Sequence, residues 1–388
     1  MKELLKTSLL WIVIICALPV LLCARKVTAL GESTAEPSKS GYDIPADMSD
    51  GLPVFSLESD LILSVYGFEA DGITDMDIEE YVYRAVLAEI PKDMEYEALK
   101  AQAAAARTYA VRRLLAGEEE VCEGIYAHIA CDPEKYQTVL TDREISLLYG
   151  GIDGDIPQKA RQAAADTAGE IIVYNGSPII AAFHTANGGM TESGENVWVD
   201  VFGGSGEPYL SPVESEGDLH SEYYDAEYIF TDREIIARIS AEFDSSGDLD
   251  GEYTGVNILS ATPSGNVQML EVCGAEISGE KFAEIFSLPS RNFSVVQGGG
   301  TTTVITRGSG HMAGMSMYGA DYMAKCGADY REILLHYYKG AEIGKLRINQ
   351  ETAVPSEYIS SLIGTASGFG GTVIFEHKNS VKRTFSTD

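Results

Sequence analysis

The sequence predicts an α+β fold of mixed helices and antiparallel strands. Three observations carry this: two adjacent stretches with helical pattern between Asp77 and Ala116, an Asn175-Gly176 pair flanked by strand-like apolar runs, and no internal repeat. A chain of 388 residues, 45% of them apolar, can bury a sizeable core as one large domain or two closely packed lobes.

The chain opens with MKELLKTSLLWIVIICALPVLLCARK, in which Ser8 to Ala24 carries no charge and is flanked by Lys2, Lys6, Arg25 and Lys26. As a helix this run would span about 25 Å, the short end for a bilayer crossing. It reads as an uncleaved signal-anchor or a cleavable signal peptide. Leu22 precedes Cys23 where a lipoprotein site needs a small residue, and no A-x-A pattern follows closely. Both points favour an anchor over residues 1–26, with the bulk of the chain exported. Residues 27–56, rich in Ser, Glu, Gly and Pro without periodicity, read as a linker. The folded part is then expected over 57–345, followed by a C-terminal tail over 346–388.

Within the folded part, Leu57 to Phe68 has the pattern of a strand. Asp77 to Ile90 reads as a helix, with Asp77 and Glu80 spaced as a capping box and Pro91 as its stop. An Ala-rich helix follows from Glu95 to Ala116, closed by Gly117. Val121 to Leu148 is irregular, and Pro157 to Thr167 is helical. The run GEIIVYNGSPIIAAFH predicts two strands about Asn175-Gly176. Loops fill Thr185 to Glu222, and one helix, Asp232 to Phe243, lies among strand-like pieces up to Phe293. Further helices are expected near Tyr318 to Lys325 and from Asp329 to Lys339. The Gly-, Ser- and Thr-rich end from Ser367 is expected to be partly disordered.

The formal net charge is −31. Such a surface repels phosphate backbones and anionic lipid heads, which argues against nucleic acid as a partner and leaves a neutral or weakly charged glycan open. Of six Cys, Cys16 and Cys23 lie in the anchor run. The other four, Cys122, Cys131, Cys273 and Cys326, are too sparse and irregular for a disulfide framework.

The segment richest in chemistry is Tyr81 to Leu114. On its first helix Ile78, Val82, Ala85 and Glu89 share one face, so Glu89 continues an apolar stripe. It also sits in the last turn, where the helix dipole disfavours a negative charge. Both effects raise a carboxyl pKa toward the range of a general acid. The other reading is a solvated carboxylate at a frayed helix end beside Pro91. The second helix sets Gln102 and Arg107 among Ala101 and Ala103 to Ala106, where small residues allow close approach.

This segment resembles the signature of the stage II sporulation protein D family, with its amidase-enhancer relatives. The pattern stands here as Ala88-Glu89-Ile90-Pro91, Glu97 to Ala103, and Ala105 to Ala110. Three more blocks are similar to the family: Ala181 to Trp198, with its His, Gly-Gly and Trp; Gly206 to Val213; and Gly308 to Ile343. Met317 stands where the family has Gln, Met312 where it has Gly, and Asn187 where it has Ser.

The resemblance implies a sporulation protein D-like catalytic fold with a substrate groove. It implies a lytic transglycosylase that cleaves peptide-stripped peptidoglycan glycan strands, with Glu89 as the catalytic acid. Substrate-binding residues matched to it are Gln102, Arg107, Tyr109, His184, Thr185, Asn187, Gly188, Gly189, Thr191, His311, Ser316 and Tyr318. The partners implied are glycan strands, an amidase and other wall-remodelling membrane proteins; the alternatives are a non-catalytic enhancer that binds glycan and stimulates a partner amidase, and a structural anchor and spacer in a membrane-bound wall-remodelling complex. Some members bind zinc near the segment carrying Cys122, His128 and Cys131; here Lys135-Tyr136 replaces the His-Cys pair that would complete the ligands, so the expectation is no cofactor, with a structural zinc on Cys122, His128 and Cys131 as the alternative on an incomplete ligand set. The resemblance also implies an extracytoplasmic location on the forespore side of the membrane in a sporulating cell.

Overall fold

The computed structural model describes residues 54–57, 61–69, 72–91, 94–132, 135–198, 207–243, 255–348, 373–375 and 383–385. The anchor over 1–26 and most of the expected linker and tail lie outside them. Among the described residues no helix is long and apolar enough to cross a membrane. The architecture is mixed α and β with mainly antiparallel sheets, and the chain divides into two compact units. One, here the Glu89 unit, takes the described residues up to Pro91, then Gln102–Ala181, then those from Ala341 on. The other, the His184 unit, holds Asp93–Ala101 and Ala182–Gly340.

In the Glu89 unit, β2 (Ile62–Tyr66) pairs antiparallel with β3 (Ile73–Asp77), which runs into α1 (Ile78–Glu89). Asp77 caps that helix by accepting from the Glu79 amide at 2.8 Å. Glu80 does not close a capping box; its two oxygens meet Arg84 and Arg161 instead. Ile90 leaves the helix with ψ 137°, the extended backbone a following proline imposes. The long helix α2 (Tyr96–Ala116) crosses the division between units. Its residues Ala101, Ala103 to Ala106 and Ala110 are all fully buried, and Gly117 ends it in left-handed backbone.

The expected strand over 57–68 is two strands. Leu57 ends β1 (Val54–Leu57), so the linker stops short of residue 56, and β2 begins at Ile62. The stretch from Val121 to Leu148 is more regular than its sequence pattern. It carries the β4 (Glu119–Cys122) and β5 (Ile125–Ala127) hairpin, β6 (Ile129–Ala130) and helix α3 (Asp142–Tyr149). A Thr141/Glu144 capping box starts α3, and Gly150 in the left-handed region ends it. Helix α4 (Asp155–Asp166) follows, then β7 (Glu170–Tyr174) and β8 (Ser177–Pro178). Asn175 and Gly176 join these two strands with φ of 50° and 77°, as a two-residue hairpin turn of the primed type needs.

Strand β7 also pairs with β17 (Glu342–Ile348), which runs parallel to β1. The tail expected from residue 346 finishes β17 and adds two further strands to the same sheet, at Val373–Phe375 and Arg383–Phe385.

In the His184 unit, β9 (Phe183–His184) pairs elsewhere than expected, parallel to a later strand at Met315–Ser316. The short helix α5 (Gly194–Val197) follows. The hydrophobic core is shared by β10 (Tyr224–Thr231), α6 (Asp232–Phe243), β11 (Val256–Ala261), β12 (Val267–Val272), β13 (Ala275–Ser278), α7 (Gly279–Phe286), β14 (Phe293–Gly298) and β15 (Thr301–Arg307). These strands form two three-stranded antiparallel sheets. Helix α7 has no counterpart among the expected elements. Ser278 caps it, and its Phe282 and Phe286 stack 4.5 Å apart, with Phe293 5.3 Å from Phe282. Truncating Phe282 would cost about 3–5 kcal/mol. The strand Met315–Ser316, β16, leads into α8 (Met317–Lys325), and α9 (Tyr330–Tyr337) follows behind an Asp329/Glu332 capping box.

Candidate functional site

Glu89 is the last residue of α1. Ile78, Val82 and Ala85 on the same face are buried, while Glu89 stays partly exposed. Burial raises its pKa to about 7, against the pull of the Thr138 backbone amide, which donates to it. Loss of water thus acts as the stripe implied. A carboxyl poised there exchanges its proton in either direction at neutral pH.

The Thr138 amide is held in place by its neighbours. The Tyr81 hydroxyl donates to Gln137 Oε1 at 3.1 Å, and the Gln137 amide donates to the Tyr109 hydroxyl at 3.3 Å. One residue earlier, the Tyr136 hydroxyl donates to Glu119 at 2.6 Å, and Arg113 lies 5.2 Å over its ring. Tyr81 is close enough to both Glu89 and Tyr109 to feel their charge, so the structure brings Tyr109 to the acid's surroundings. Gln137 Nε2 and Thr138 Oγ1 are buried and have no partner among the described residues. Neither residue stood out in the sequence, because Val121 to Leu148 has no period to flag them.

Arg107 points into the protein. It is fully buried, and its donors are all used within the unit: Glu79 takes Nε and Nη2 at 2.8 and 2.6 Å, and the Ala164 and Glu170 carbonyls take 3.0 and 3.1 Å bonds. Thr167 Oγ1 lies 3.4 Å from Nη1. The small residues around Arg107 make room for this internal fork, which ties α2 to the start of α1 and the end of α4. Gln102 is also fully buried, and neither amide atom has a partner among the described residues.

The other expected residues lie in the His184 unit, where His184, Asn187 and Ser316 form one buried network beside the partly exposed His311. His184 Nδ1 faces the Ala313 carbonyl at 3.2 Å, and its Nε2 faces Asn187 Nδ2 at 3.2 Å. Burial drives the His184 pKa down to about 3, helped by nearby His311. His311 is held at about 4 by burial and by the charge of Arg291. Its Nδ1 accepts from the Ala313 amide at 3.1 Å, and the ring donates to the Phe183 carbonyl. Both imidazoles are therefore neutral at physiological pH, with their ring nitrogens engaged by the protein.

Behind them lies Asp218, which sequence reading missed because it sits in an unpatterned loop. Ser316 Oγ donates to Asp218 Oδ1 at 2.6 Å, Ser215 Oγ donates to Oδ2, and Asn187 donates through backbone and side chain. Burial outweighs these donors and lifts the Asp218 pKa to about 6. Tyr337 Oη lies 2.6 Å from Ser215 Oγ. Gly319 is required here, since any Cβ would collide with Tyr337, Ser215 and Asp218. Ser316 also caps α8 through the Gly319 amide at 3.1 Å.

The remaining candidates are structural in their contacts. Thr185 supplies its carbonyl to the Tyr318 amide, and Thr191 Oγ1 accepts from the Val213 amide at 2.9 Å. Gly188 leaves room for Asn292, and Gly189 takes φ 99° against Leu219. Only Tyr318, among these, is partly exposed at its side chain, donating to Glu222 at 3.1 Å.

A model of the Stage II sporulation protein family matches residues 66–174. Stage II sporulation protein D of Bacillus subtilis (strain 168) is 33% identical over 287 residues, covering 74% of this chain and 80% of that protein. Its counterpart in Bacillus amyloliquefaciens is 32% identical over 288 residues. The chain belongs to the stage II sporulation protein D family. An "Amidase enhancer" of Bacillus subtilis (strain 168) is also similar, at 25% identity over 303 residues, covering 39% of that protein.

Three departures from the family pattern have structural consequences. Met312, where the sporulation protein D pattern has Gly, takes φ 67° and is buried. Left-handed backbone costs a side chain about 1 kcal/mol, which explains why Gly is usual there. Met317 opens α8 as a buried residue, so the Gln it replaces would have placed an amide in a packed position. Asn187, in place of Ser, reaches both His184 and Asp218. The expected metal ligands do not converge: no group of three or more His, Cys, Asp or Glu among the described residues is placed to hold a metal. His128 Nδ1 is occupied by Ser64, through its amide at 3.1 Å and its hydroxyl at 2.7 Å. Cys122 and Cys131 are free thiols, the latter pushed up to about 11 by burial.

Proposed function

We propose that the protein is a lytic transglycosylase that cuts peptide-stripped peptidoglycan strands between muramic acid and glucosamine, with Glu89 as its single acid and base. The observation that carries this is a partly exposed carboxyl with a pKa of about 7, in the Ala-Glu-Ile-Pro segment of the family. Protonated Glu89 gives its proton to the glycosidic oxygen as the anomeric bond breaks. The resulting carboxylate takes the proton of the muramic 6-hydroxyl, whose oxygen closes onto the anomeric carbon as an anhydro ring. Internal attack replaces a bound water, so no second carboxylate is needed.

In this reading residues 1–26 anchor the chain, the substrate groove faces outward from the membrane, and a wall amidase is the partner that strips the strands. Mass spectrometry after incubating the chain with peptide-free strands tests it. Anhydromuramic ends from wild type but not from Glu89→Gln support the assignment; ends from the variant at the wild-type rate remove Glu89 from it. The second reading is an enhancer that binds glycan and stimulates an amidase, favoured by the similarity to a protein of that name and by Met317. Bound but uncut strands would select it.

A further inference from the structure

We propose that Tyr136, Glu119 and Arg113 are positioning residues for Glu89, a side-chain clamp that holds the Thr138 amide on the acid without a metal ion. This rests on the reading of Glu89 as the acid and adds what keeps that group in place.

The clamp converges on one carboxylate oxygen. Glu119 Oε1, at the start of β4, accepts from the Tyr136 hydroxyl at 2.6 Å and lies 2.7 Å from Arg113 Nη2. The Arg113 guanidinium also sits over the Tyr136 ring, 5.2 Å from its centroid. Its Nε donates to the carbonyl of His128, between β5 and β6, at 2.9 Å, which ties the group to α2 on one side and to the strands on the other. Cation, carboxylate and aromatic ring touch one another in pairs, so each braces the other two.

From Tyr136 the hold passes along the backbone. The Lys135 and Tyr136 amides both bond to the Asp132 carbonyl, at 3.0 and 2.9 Å. Gln137 is pinned next, its side chain by the Tyr81 hydroxyl and its amide by the Tyr109 hydroxyl. The Thr138 amide then donates to Glu89. Three successive residues are fixed, and only the last touches the acid. The Tyr81 and Tyr109 contacts are 3.1 and 3.3 Å long, so the 2.6 Å bond of Tyr136 to an ionised partner is the firmest of these ties.

The donor set does not suit a metal ion. Lys135 and Tyr136 stand where the family resemblance places a His-Cys pair, and Tyr136 turns its hydroxyl to Glu119 instead. His128 Nδ1 is taken by the Ser64 amide, and Cys122 is exposed in the β4–β5 hairpin. Three ligands that do not converge fall short of a closed tetrahedral site. The clamp supplies by side-chain contacts the rigidity that a structural ion would give such a loop. What it protects is a balance: burial raises the Glu89 pKa and the Thr138 amide opposes it, so a looser amide leaves the acid both less well aimed and harder to ionise.

The test compares the full chain with Tyr136→Phe, which keeps the ring beside Arg113 and removes the bond to Glu119. Glu119→Ala removes the acceptor, and Glu119→Gln keeps one. On peptide-free strands, kcat should fall about tenfold in Tyr136→Phe and Glu119→Ala with KM unchanged, and Glu119→Gln should recover part of the loss. Carboxyl NMR should show the Glu89 titration midpoint moving upward in the same two variants, a shift that loss of stability alone does not produce. Purified wild type should contain no zinc, and a chelator should leave its melting temperature and the Glu89 midpoint where they were. A midpoint that stays put in Tyr136→Phe, or zinc whose removal lowers the melting temperature, overturns the clamp. If the midpoint moves as stated but wild type forms no anhydromuramic ends, the clamp stands and the lytic reading falls. Ends formed by wild type, with the midpoint unmoved in both variants, reverse that outcome.

Discussion

Glu89 and His184 are both ionisable groups that the protein withdraws from water, and the two units handle them in opposite ways. Around Glu89 burial is partial and one backbone amide answers it, so the pKa stops near 7. Around His184 burial is complete and a chain of donors and acceptors runs from Ala313 through Asn187 to Asp218 and Ser316. That ring cannot hold a proton above pH 4, and its neighbour His311 behaves alike. The same desolvation produces a reactive group where solvation is left incomplete and an inert one where the protein supplies every partner. Of the two histidines and one glutamate singled out from sequence, only the glutamate keeps the freedom a proton-transfer group needs.

This contrast can be tested from its largest consequence downward. Glu89→Gln should lower formation of anhydromuramic ends by about a thousandfold with the fold intact, measured by product analysis and a melting curve. Arg107→Met removes the fully buried member of an ion pair whose Glu79 partner is 32% exposed, together with its bonds to the Ala164 and Glu170 carbonyls, and should destabilise the protein by about 3 kcal/mol in denaturant titration. A loss of glycan affinity without a loss of stability would instead return Arg107 to the substrate.

The next effect depends on pH. The Glu89 pKa is higher folded than unfolded, so its contribution to stability is full below about 4.5 and is lost as pH rises through about 7. Glu89→Gln should therefore stabilise the protein at pH 8 by at most about 3 kcal/mol and change little at pH 4, read from melting temperatures. Asp218→Asn should cost about 2 kcal/mol at pH 8, because it puts an NH2 group against the donors of Ser215, Ser316 or Asn187. The smallest expected effect is none: NMR shifts of His184 and His311 should stay flat between pH 5.5 and 8. A titration in that range would show that the network is looser than its geometry.

Much of the Glu89 side was legible in the sequence, because it is built from local signals. The stripe through Ile78, Val82 and Ala85 gives the buried face, Pro91 gives the stop, and the Asn175-Gly176 turn gives the hairpin. The surroundings of Arg107 were not legible, for the same reason. An arginine among alanines looks like a group reaching outward, and nothing local shows that Glu79, Ala164 and Glu170 close around it. The His184 side rests on pairings remote in sequence, such as Phe183 with Met315 and Ser316 with Asp218, which leave no periodic trace. Helix α7 was hidden by its length, since its eight residues are too few for the helical period to stand out from the surrounding strands.

The parallel pairing of Val54 with Lys345 has a consequence for biogenesis. Two strands separated by roughly 290 residues must find each other before that sheet can close, a slow, non-local step. A chain emerging from its N-terminus therefore cannot lock β1 in place until nearly all of it has been made. If the chain is exported as proposed above, that delay keeps one end pliable during passage and allows the sheet to close on the far side.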